Sequence, residues 1–96
     1  MRISEFQKLI EDIYLERDSA RGRDANFVWF IEEIGELARA LARPASDGGK
    51  NLREEFADVL AWLSTLASIA GVDLESAAAE KYRGGCPKCR STPCAC

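Results

Sequence analysis

Apolar residues recur at intervals of three and four along most of the chain, which is the spacing of amphipathic α-helices. The pattern predicts four helices and no strand. Their expected ranges are 4–17, 25–42, 51–70 and 74–82. Polar segments with glycine, 17–24 and 43–50, would separate the first three helices, and Pro44 should end the second. We therefore expect an all-α fold, an antiparallel four-helix-type bundle.

Capping residues mark the expected starts of three helices. Ser4 with Gln7 resembles a capping box, and Asn51 with Glu54 forms a second cap pair. Asp73 stands directly before the fourth apolar run, where its carboxylate would accept from free backbone amides. These residues predict how each helix begins.

The second and third helices each carry two stripes when their residues are projected at about 100° per residue. The wide apolar stripes, expected to form the core, are Phe27, Phe30, Ile31, Ile34, Leu37, Ala38 and Leu41, and Leu52, Phe56, Val59, Leu60, Leu63, Leu66 and Ala67. The narrow flanking stripes are Trp29, Glu33, Glu36 and Ala40, and Glu55, Asp58, Trp62 and Ile69. Antiparallel packing through the core stripes would bring the two acid pairs together.

Each acid pair has i,i+3 spacing, so its two carboxylates are neighbours on the helix surface. Four carboxylates in one place repel each other and raise each other's pKa unless a cation lies between them. Mg²⁺ suits such a site because it prefers oxygen ligands. The alternative is a solvated acidic face with salt bridges, in which the tryptophans only pack against a neighbouring helix or subunit.

Composition narrows the chemistry. The 96 residues fit one domain, and a net charge of −3 gives no reason to expect nucleic acid as a partner. The chain has no histidine, which excludes Ser-His and Cys-His nucleophile pairs and leaves only carboxylates or cysteines as metal ligands.

No run of apolar residues is long enough to span a membrane, and the amphipathic N-terminus does not resemble a secretory signal. We expect a cytoplasmic protein.

All four cysteines lie in a tail, 84–96, that follows the helical domain, 1–83, and opens with two glycines expected to act as a hinge. The cysteines are Cys86, Cys89, Cys94 and Cys96, in a C-x₂-C-x₄-C-x-C pattern. Four thiolates can form a tetrahedral Zn²⁺ site, although the two pairs lie closer together than in an ordinary zinc ribbon. Disulfide or redox pairing and an unstructured tail are the alternatives.

Two short motifs carry a resemblance to a known family. "EEIGE" at 32–36 and "EFAD" at 55–58 resemble the EExxE…ExxD pattern of the all-α nucleoside triphosphate pyrophosphohydrolases, and the chain is most similar to a small MazG-like protein over about residues 5–83. The resemblance implies that Mg²⁺, for which Mn²⁺ could substitute, is held by Glu33, Glu36, Glu55 and Asp58. It implies that Glu32 and Glu33 are the catalytic candidates, with Glu32 as an auxiliary ligand or a residue that positions water.

The same resemblance implies where substrate binds. Lys81 is the first choice for a phosphate contact, because the family commonly places a lysine on the helix after the second motif. The weaker candidates, for which an ordinary surface cation is the alternative, are Arg83, Lys50, Arg53, Arg21 and Arg23. Trp29 or Trp62 could stack on a base, although helix packing is the alternative. The residues after Lys81, "AAAEKYRGGC", differ from the family, which commonly continues with an asparagine and further basic residues.

The implied reaction is hydrolysis of a nucleoside triphosphate to a monophosphate and pyrophosphate by a homodimer or homotetramer. One alternative is the phosphoribosyl-ATP pyrophosphohydrolase of histidine biosynthesis, which shares the acid motifs. Another is a non-catalytic helical oligomerisation module that presents a zinc tail. Neither nucleic acid nor a membrane is expected as a partner.

Overall fold

The computed structural model describes residues 1–43 and 46–96, and within them it contains four helices and no strand. The helices are α1 (Ile3–Arg21), α2 (Arg23–Ala42), α3 (Lys50–Ile69) and α4 (Leu74–Tyr82). The prediction of an all-α fold is therefore confirmed. Residues 44 and 45 of the predicted loop lie outside the described residues, and α2 ends at Ala42 as expected.

The expected polar break at 17–24 is much shorter than predicted, because α1 continues to Arg21 and α2 begins at Arg23. Gly22 alone connects them, with φ 96° and ψ 159°, a conformation that is essentially restricted to glycine. Its amide donates to Asp18 O at 3.2 Å, and its carbonyl accepts from the Asn26 amide at 3.2 Å. One glycine thus ends one helix and starts the next.

The fourth helix begins as predicted, but the first does not. Asp73 caps α4 by accepting a hydrogen bond from the Ser76 amide at 3.0 Å. In α1 the cap lies two residues earlier than expected, where the Arg2 amide donates to Glu5 Oε1 at 2.9 Å. Ser4 is already helical, so its hydroxyl is free to donate to Glu75 Oε1 on α4 at 3.2 Å.

The start of α3 also differs from the predicted Asn51 cap. The helix begins at Lys50, after Gly49, and Asn51 lies inside its first turn. Asp47 accepts from the backbone amides of Gly49 and Asn51, at 3.0 and 2.9 Å. A loop carboxylate therefore takes the role that the sequence pattern assigned to Asn51 and Glu54.

Helix α3 is central, since it packs against both α1 and α2, while α4 lies against α1. The α1–α3 contact includes the buried side chain of Gln7. Its amide nitrogen donates to Ser68 Oγ at 3.1 Å and to Val72 O at 2.9 Å, and its oxygen accepts from the Leu74 amide at 3.0 Å. Gln7 thereby fixes the turn between α3 and α4 rather than capping α1.

The prediction that the wide apolar stripes form the core was largely wrong for the single chain, in which Ala67 alone of the stripe residues is buried. Phe27, Ile31, Leu41 and Phe56 are each about half exposed, at 49–58%. Helices α2 and α3 instead contact each other through the flanks that carry the acids and tryptophans, since the Trp29 and Trp62 rings stack at 6.1 Å. Because α2 turns this flank towards α3, its main partner among the described helices, the apolar stripe of α2 stays uncovered.

Among the described residues, no single helix is both long and apolar enough to cross a bilayer. Only α3 and α4 taken together would reach the required length and composition, and they are bent by 96°.

Candidate metal centre and adjoining cavities

Three acids from the two motifs form a carboxylate cluster between α2 and α3. It comprises Glu33, Glu55 and Asp58, each of which offers an oxygen within 4.8 Å of the others. Glu36, one turn further along α2, is exposed and lies outside this close group, although its charge acts on both Glu33 and Glu55. The structure thus brings three of the four proposed metal ligands together, with the fourth beside them.

The cluster is electrostatically unfavourable without a cation. Burial, followed by the charges of Glu36, Asp58 and Glu55, raises the pKa of Glu33 to about 7. Burial and the charges of Glu36 and Asp58 also raise the pKa of Glu55. One oxygen of each, Glu33 Oε2 and Glu55 Oε2, is buried with no hydrogen-bond partner. Buried acceptors are normally paired, so these two oxygens indicate a site for a proton or a cation.

Glu32, the other predicted catalytic residue, is exposed on α2 and lies outside the close carboxylate group. Its side chain is therefore exposed to solvent and does not join the three carboxylates. The single chain therefore does not place Glu32 among the residues that would bind a cation.

A cavity of about 310 Å³ opens between α1, α2 and α3, and Asp58 forms part of its wall. The stacked rings of Trp29 and Trp62 form an aromatic side, and Tyr14 lies opposite on α1. The Arg21 guanidinium lies 5.7 Å from the Trp29 ring centroid and 5.6 Å from that of Trp62. The cavity therefore combines aromatic surface, positive charge and one carboxylate of the cluster.

A buried polar network holds Arg21 in place. Its guanidinium donates to Asp18 Oδ1 at 2.9 Å and to Asn26 Oδ1 at 2.8 Å. Thr65 Oγ1 donates to the second Asp18 oxygen at 2.9 Å, and Asn26 Nδ2 donates to the Asp18 carbonyl at 2.6 Å. Because Asp18, Asn26 and Thr65 are all buried, the network joins α1, α2 and α3 at the cavity.

A second cavity, about 710 Å³, lies on the other side of the cluster. Glu36 and Glu55 line it together with the cations Arg39 and Arg43 near the end of α2. Neither arginine was among the predicted substrate contacts. The carboxylate cluster thus has a cationic surface near it on both sides, since Arg17 and Arg21 line the first cavity.

The predicted phosphate contacts on α4 lie elsewhere in the single chain. Lys81 is exposed, with its ammonium 5.6 Å from the centroid of the Tyr82 ring, and Arg83 is the exposed residue that follows α4. Neither lines the cavities beside the cluster. Their role in substrate binding stays a prediction.

Sequence reasoning missed several residues of the first cavity because they lie on α1, outside both acid motifs. Tyr14, Arg17 and Asp18 all line the cavity from this helix. Their i,i+3 and i,i+4 spacing places them on one face, and this is the only signal that could have identified them. Nothing local indicates that this face turns towards the acids of α3.

The four tail cysteines are free thiols whose sulfurs all lie within 4.8 Å of one another. Hydrogen bonds from the backbone amides of Ala95 and Ser91 lower the pKa of Cys89 to about 6. Backbone amides also lower the pKa of Cys86, whereas the neighbouring sulfurs raise that of Cys96. The tail therefore has a second cluster of metal-ligating groups, separate from the carboxylates.

Fold and site together define an all-helical protein in which two consecutive helices present clustered carboxylates to a cavity. The sequence profile of the MazG nucleotide pyrophosphohydrolase domain matches residues 21–90, about three quarters of the chain. The chain belongs to this family, whose general activity is nucleotide pyrophosphohydrolysis. No curated protein matches the chain. Most of α1 precedes the matched segment, although it supplies one wall of the cavity.

Proposed function

We propose that the protein hydrolyses a nucleoside triphosphate to a nucleoside monophosphate and pyrophosphate, with Mg²⁺ as the cofactor. The observation that carries this proposal is the carboxylate cluster, with two buried and unpartnered oxygens, beside a cavity with an aromatic wall. Membership of the MazG family supports the reaction class.

The donors fit a hard divalent cation. Glu33, Glu55 and Asp58 would hold Mg²⁺ with oxygen only, and we propose Glu36, whose charge acts on Glu33 and Glu55, as the fourth ligand. Mn²⁺, which also accepts carboxylate ligands, could substitute. When bound, the ion neutralises phosphate charge and lowers the pKa of the attacking water.

The residues of the chain would orient the substrate and handle the proton. Asp58 belongs to both the cluster and the cavity wall, so a triphosphate beside it would leave its nucleoside against Trp29 and Trp62. Stacking on aromatic rings binds a base through its π-face. Arg21, held by its hydrogen bonds, would meet the substrate's negative charge. We propose Glu32 and Glu33 as the catalytic residues, with Glu32 as an auxiliary ligand or a residue that positions the attacking water. A nearby carboxylate would take the proton from that water.

The remaining elements of the proposal concern the assembled molecule. The uncovered apolar stripes of α2 and α3 support a homodimer or homotetramer. In such an assembly Lys81 and Arg83 would remain available as phosphate contacts. We propose a cytoplasmic location, with no nucleic-acid or membrane partner.

The test is release of pyrophosphate from a panel of ribo- and deoxyribonucleoside triphosphates, with phosphoribosyl-ATP included, in the presence of Mg²⁺. We expect turnover of at least one triphosphate to its monophosphate. Glu55→Gln should lose at least about 100-fold in activity, since a metal ligand becomes neutral. Glu54→Gln, the matched change at an exposed neighbour on the same helix, should retain it.

The same panel separates the alternatives. Turnover of phosphoribosyl-ATP alone would replace the proposed substrate by that of the histidine pathway. No turnover of any nucleotide with Mg²⁺ or Mn²⁺ would contradict the proposal and favour the non-catalytic oligomerisation module.

A further inference from the structure

The cysteine tail forms a compact unit that the proposed reaction does not use. The Cys86 sulfur lies 3.8 Å from that of Cys96 and 3.6 Å from that of Cys94, and the sulfurs of Cys89 and Cys94 are 4.0 Å apart. We propose that this tail binds one structural Zn²⁺ through all four thiolates.

The sulfur separations match a tetrahedral site. A Zn–S bond is about 2.3 Å long, and the corners of a tetrahedron with that radius lie about 3.8 Å apart. Three of the six sulfur separations, 3.6–4.0 Å, bracket this value, and the other three are no longer than 4.8 Å. Because four thiolates fill all four positions, no position is left for water or substrate, as in structural rather than catalytic zinc sites.

The backbone of the tail is arranged around the sulfurs. The Arg90 amide donates to Cys86 O at 2.7 Å, and the Cys86 amide donates to Ser91 O at 3.1 Å, so the first Cys-x₂-Cys pair lies in a closed turn. Arg90 adopts a left-handed conformation with φ 61°. Gly85 lets the returning chain approach, because a Cβ there would lie 2.8 Å from Thr92 Oγ1. Gly84 and Gly85 therefore begin a tight turn at the start of the tail.

Two backbone amides point at ligand sulfurs. The Ala95 amide donates to Cys89 Sγ at 3.3 Å, and the Cys96 amide donates to Cys94 Sγ at 3.4 Å. Such bonds stabilise the thiolate form, which is the form that binds metal. They orient sulfurs that belong to both halves of the motif, the Cys-x₂-Cys pair and the Cys-x-Cys pair.

Hydrophobic burial does not explain why the tail is compact. Apart from the cysteines, its only apolar side chains are Pro87, Pro93 and Ala95, and all three are exposed. A segment of this size needs a staple to offset the entropy of ordering its backbone. A metal ion shared by the four sulfurs would supply it, since binding energy at structural zinc sites is also folding energy.

The thiolate cluster of the tail has softer ligands than the carboxylate cluster of α2 and α3, so the two clusters select different metals. Thiolates favour Zn²⁺, whereas the all-carboxylate cluster suits Mg²⁺. Zinc in the tail therefore does not depend on the proposed reaction. A failure of the nucleotide assay would leave it untouched, and loss of zinc would leave the carboxylate cluster intact.

The experiment measures metal content and thiol reactivity in the full chain. After purification without chelator and dialysis against Mg²⁺, we expect one zinc per chain by elemental analysis. All four thiols should resist a thiol-specific reagent until the zinc is removed. Replacement of zinc by Co²⁺ should produce the visible absorption of tetrahedral cobalt–thiolate coordination.

Variants locate the ion. Cys89→Ser and Cys96→Ser should each lose most of the zinc while the helical circular dichroism is retained, since the helices do not depend on the tail. Cys96 is exposed, so its substitution is the less disruptive change. Lys88→Ala, between two ligands, and Glu55→Gln, in the carboxylate cluster, are the controls and should both keep one zinc per chain.

Four results would overturn the proposal. They are zinc well below one per chain, iron in its place, two disulfides in the freshly purified protein, and zinc that is lost in Glu55→Gln but kept in Cys89→Ser and Cys96→Ser.

Discussion

Glu33 is the residue whose protonation should control stability in the absence of metal. Burial and the surrounding acids raise the pKa of Glu33 to about 7 in the folded chain, against about 4.5 when unfolded. Between these values the folded state holds a proton that the unfolded state has released, so stability is lost as pH rises. Without divalent ions, the melting temperature should fall between about pH 5 and pH 8.

Removal of the titrating group tests this explanation. Glu33→Gln should flatten the fall in melting temperature across that range, because a neutral amide does not lose a proton. Mg²⁺ should raise the melting temperature of the unmodified protein mainly above pH 7, since the cation binds the ionised cluster. Thermal unfolding followed by circular dichroism, in EDTA or in Mg²⁺, measures the pH dependence of the melting temperature and the effect of Mg²⁺ on it. If the melting temperature fell equally steeply with pH in Glu33→Gln and in Glu54→Gln, protonation of Glu33 would not be the cause.

For single residues, the sequence predicts which acids are neighbours, but not whether their oxygens are buried or hydrogen-bonded. The i,i+3 spacing and the family motif identify Glu33, Glu36, Glu55 and Asp58, and three of these do converge. The sequence does not reveal that Glu33 Oε2 and Glu55 Oε2 are buried without partners, because burial depends on the approach of a second helix. That Glu36 lies outside the close group of three carboxylates also depends on packing.

Among the helices, the contact of α1 with α3 depends on buried polar groups. Asp18 accepts from Arg21 and Thr65, and it is 4% exposed. Asp18→Ala would leave both donors without this partner, and it should reduce the free energy of unfolding by about 3 kcal/mol. Asp12→Ala, which removes an exposed ion pair with Lys8 on the same helix, should change it by less than about 1 kcal/mol.

Urea denaturation of the two aspartate variants measures the difference. Arg21 is also expected to lose its fixed position beside Trp29 and Trp62 in Asp18→Ala, so tryptophan fluorescence of the folded protein should change as well. Equal stability losses in the two variants would show that the network does not hold α1 to α3.

The junction of α1 and α2 permits a paired glycine test. Gly22 has φ 96°, where a side chain is strained, so Gly22→Ala should destabilise the fold by about 1–3 kcal/mol. Gly35 is helical, and a Cβ there meets nothing within 4 Å. Gly35→Ala should therefore stabilise by about 0.5–1 kcal/mol. Chemical denaturation measures the change in the free energy of unfolding for each variant. If Gly35→Ala destabilised the protein as much as Gly22→Ala, the explanation from backbone conformation would be wrong.

Helical periodicity predicts the elements better than it predicts their packing. It finds all four helices and the Asp73 cap, since these depend on local residues. It misplaces the α1–α2 junction because Gly22 makes the turn alone, within a polar segment that resembles a longer loop. It also chooses the wrong contact face for α2 and α3, because the widest apolar stripe need not face the nearest helix within one chain.

For the whole molecule, the uncovered stripes predict self-association. Phe27, Ile31, Leu41 and Phe56 are about half exposed, and exposed apolar surface of this kind marks protein–protein contacts. Light scattering after size exclusion should show a dimer or tetramer, and Ile31→Glu with Phe56→Glu should dissociate it. Ala78→Glu, on exposed α4, is the control. A monomer in the unmodified protein at micromolar concentration would contradict the prediction.

The central claim is that acids from α2 and α3 converge because they share a divalent cation. Anomalous diffraction from crystals soaked in Mn²⁺ tests it most directly, since the ion is located without reference to activity. The account predicts an anomalous peak within coordination distance of oxygens of Glu33, Glu55 and Asp58. Carboxylates that lie apart in solvent with no peak between them, at saturating Mn²⁺ and neutral pH, would contradict it.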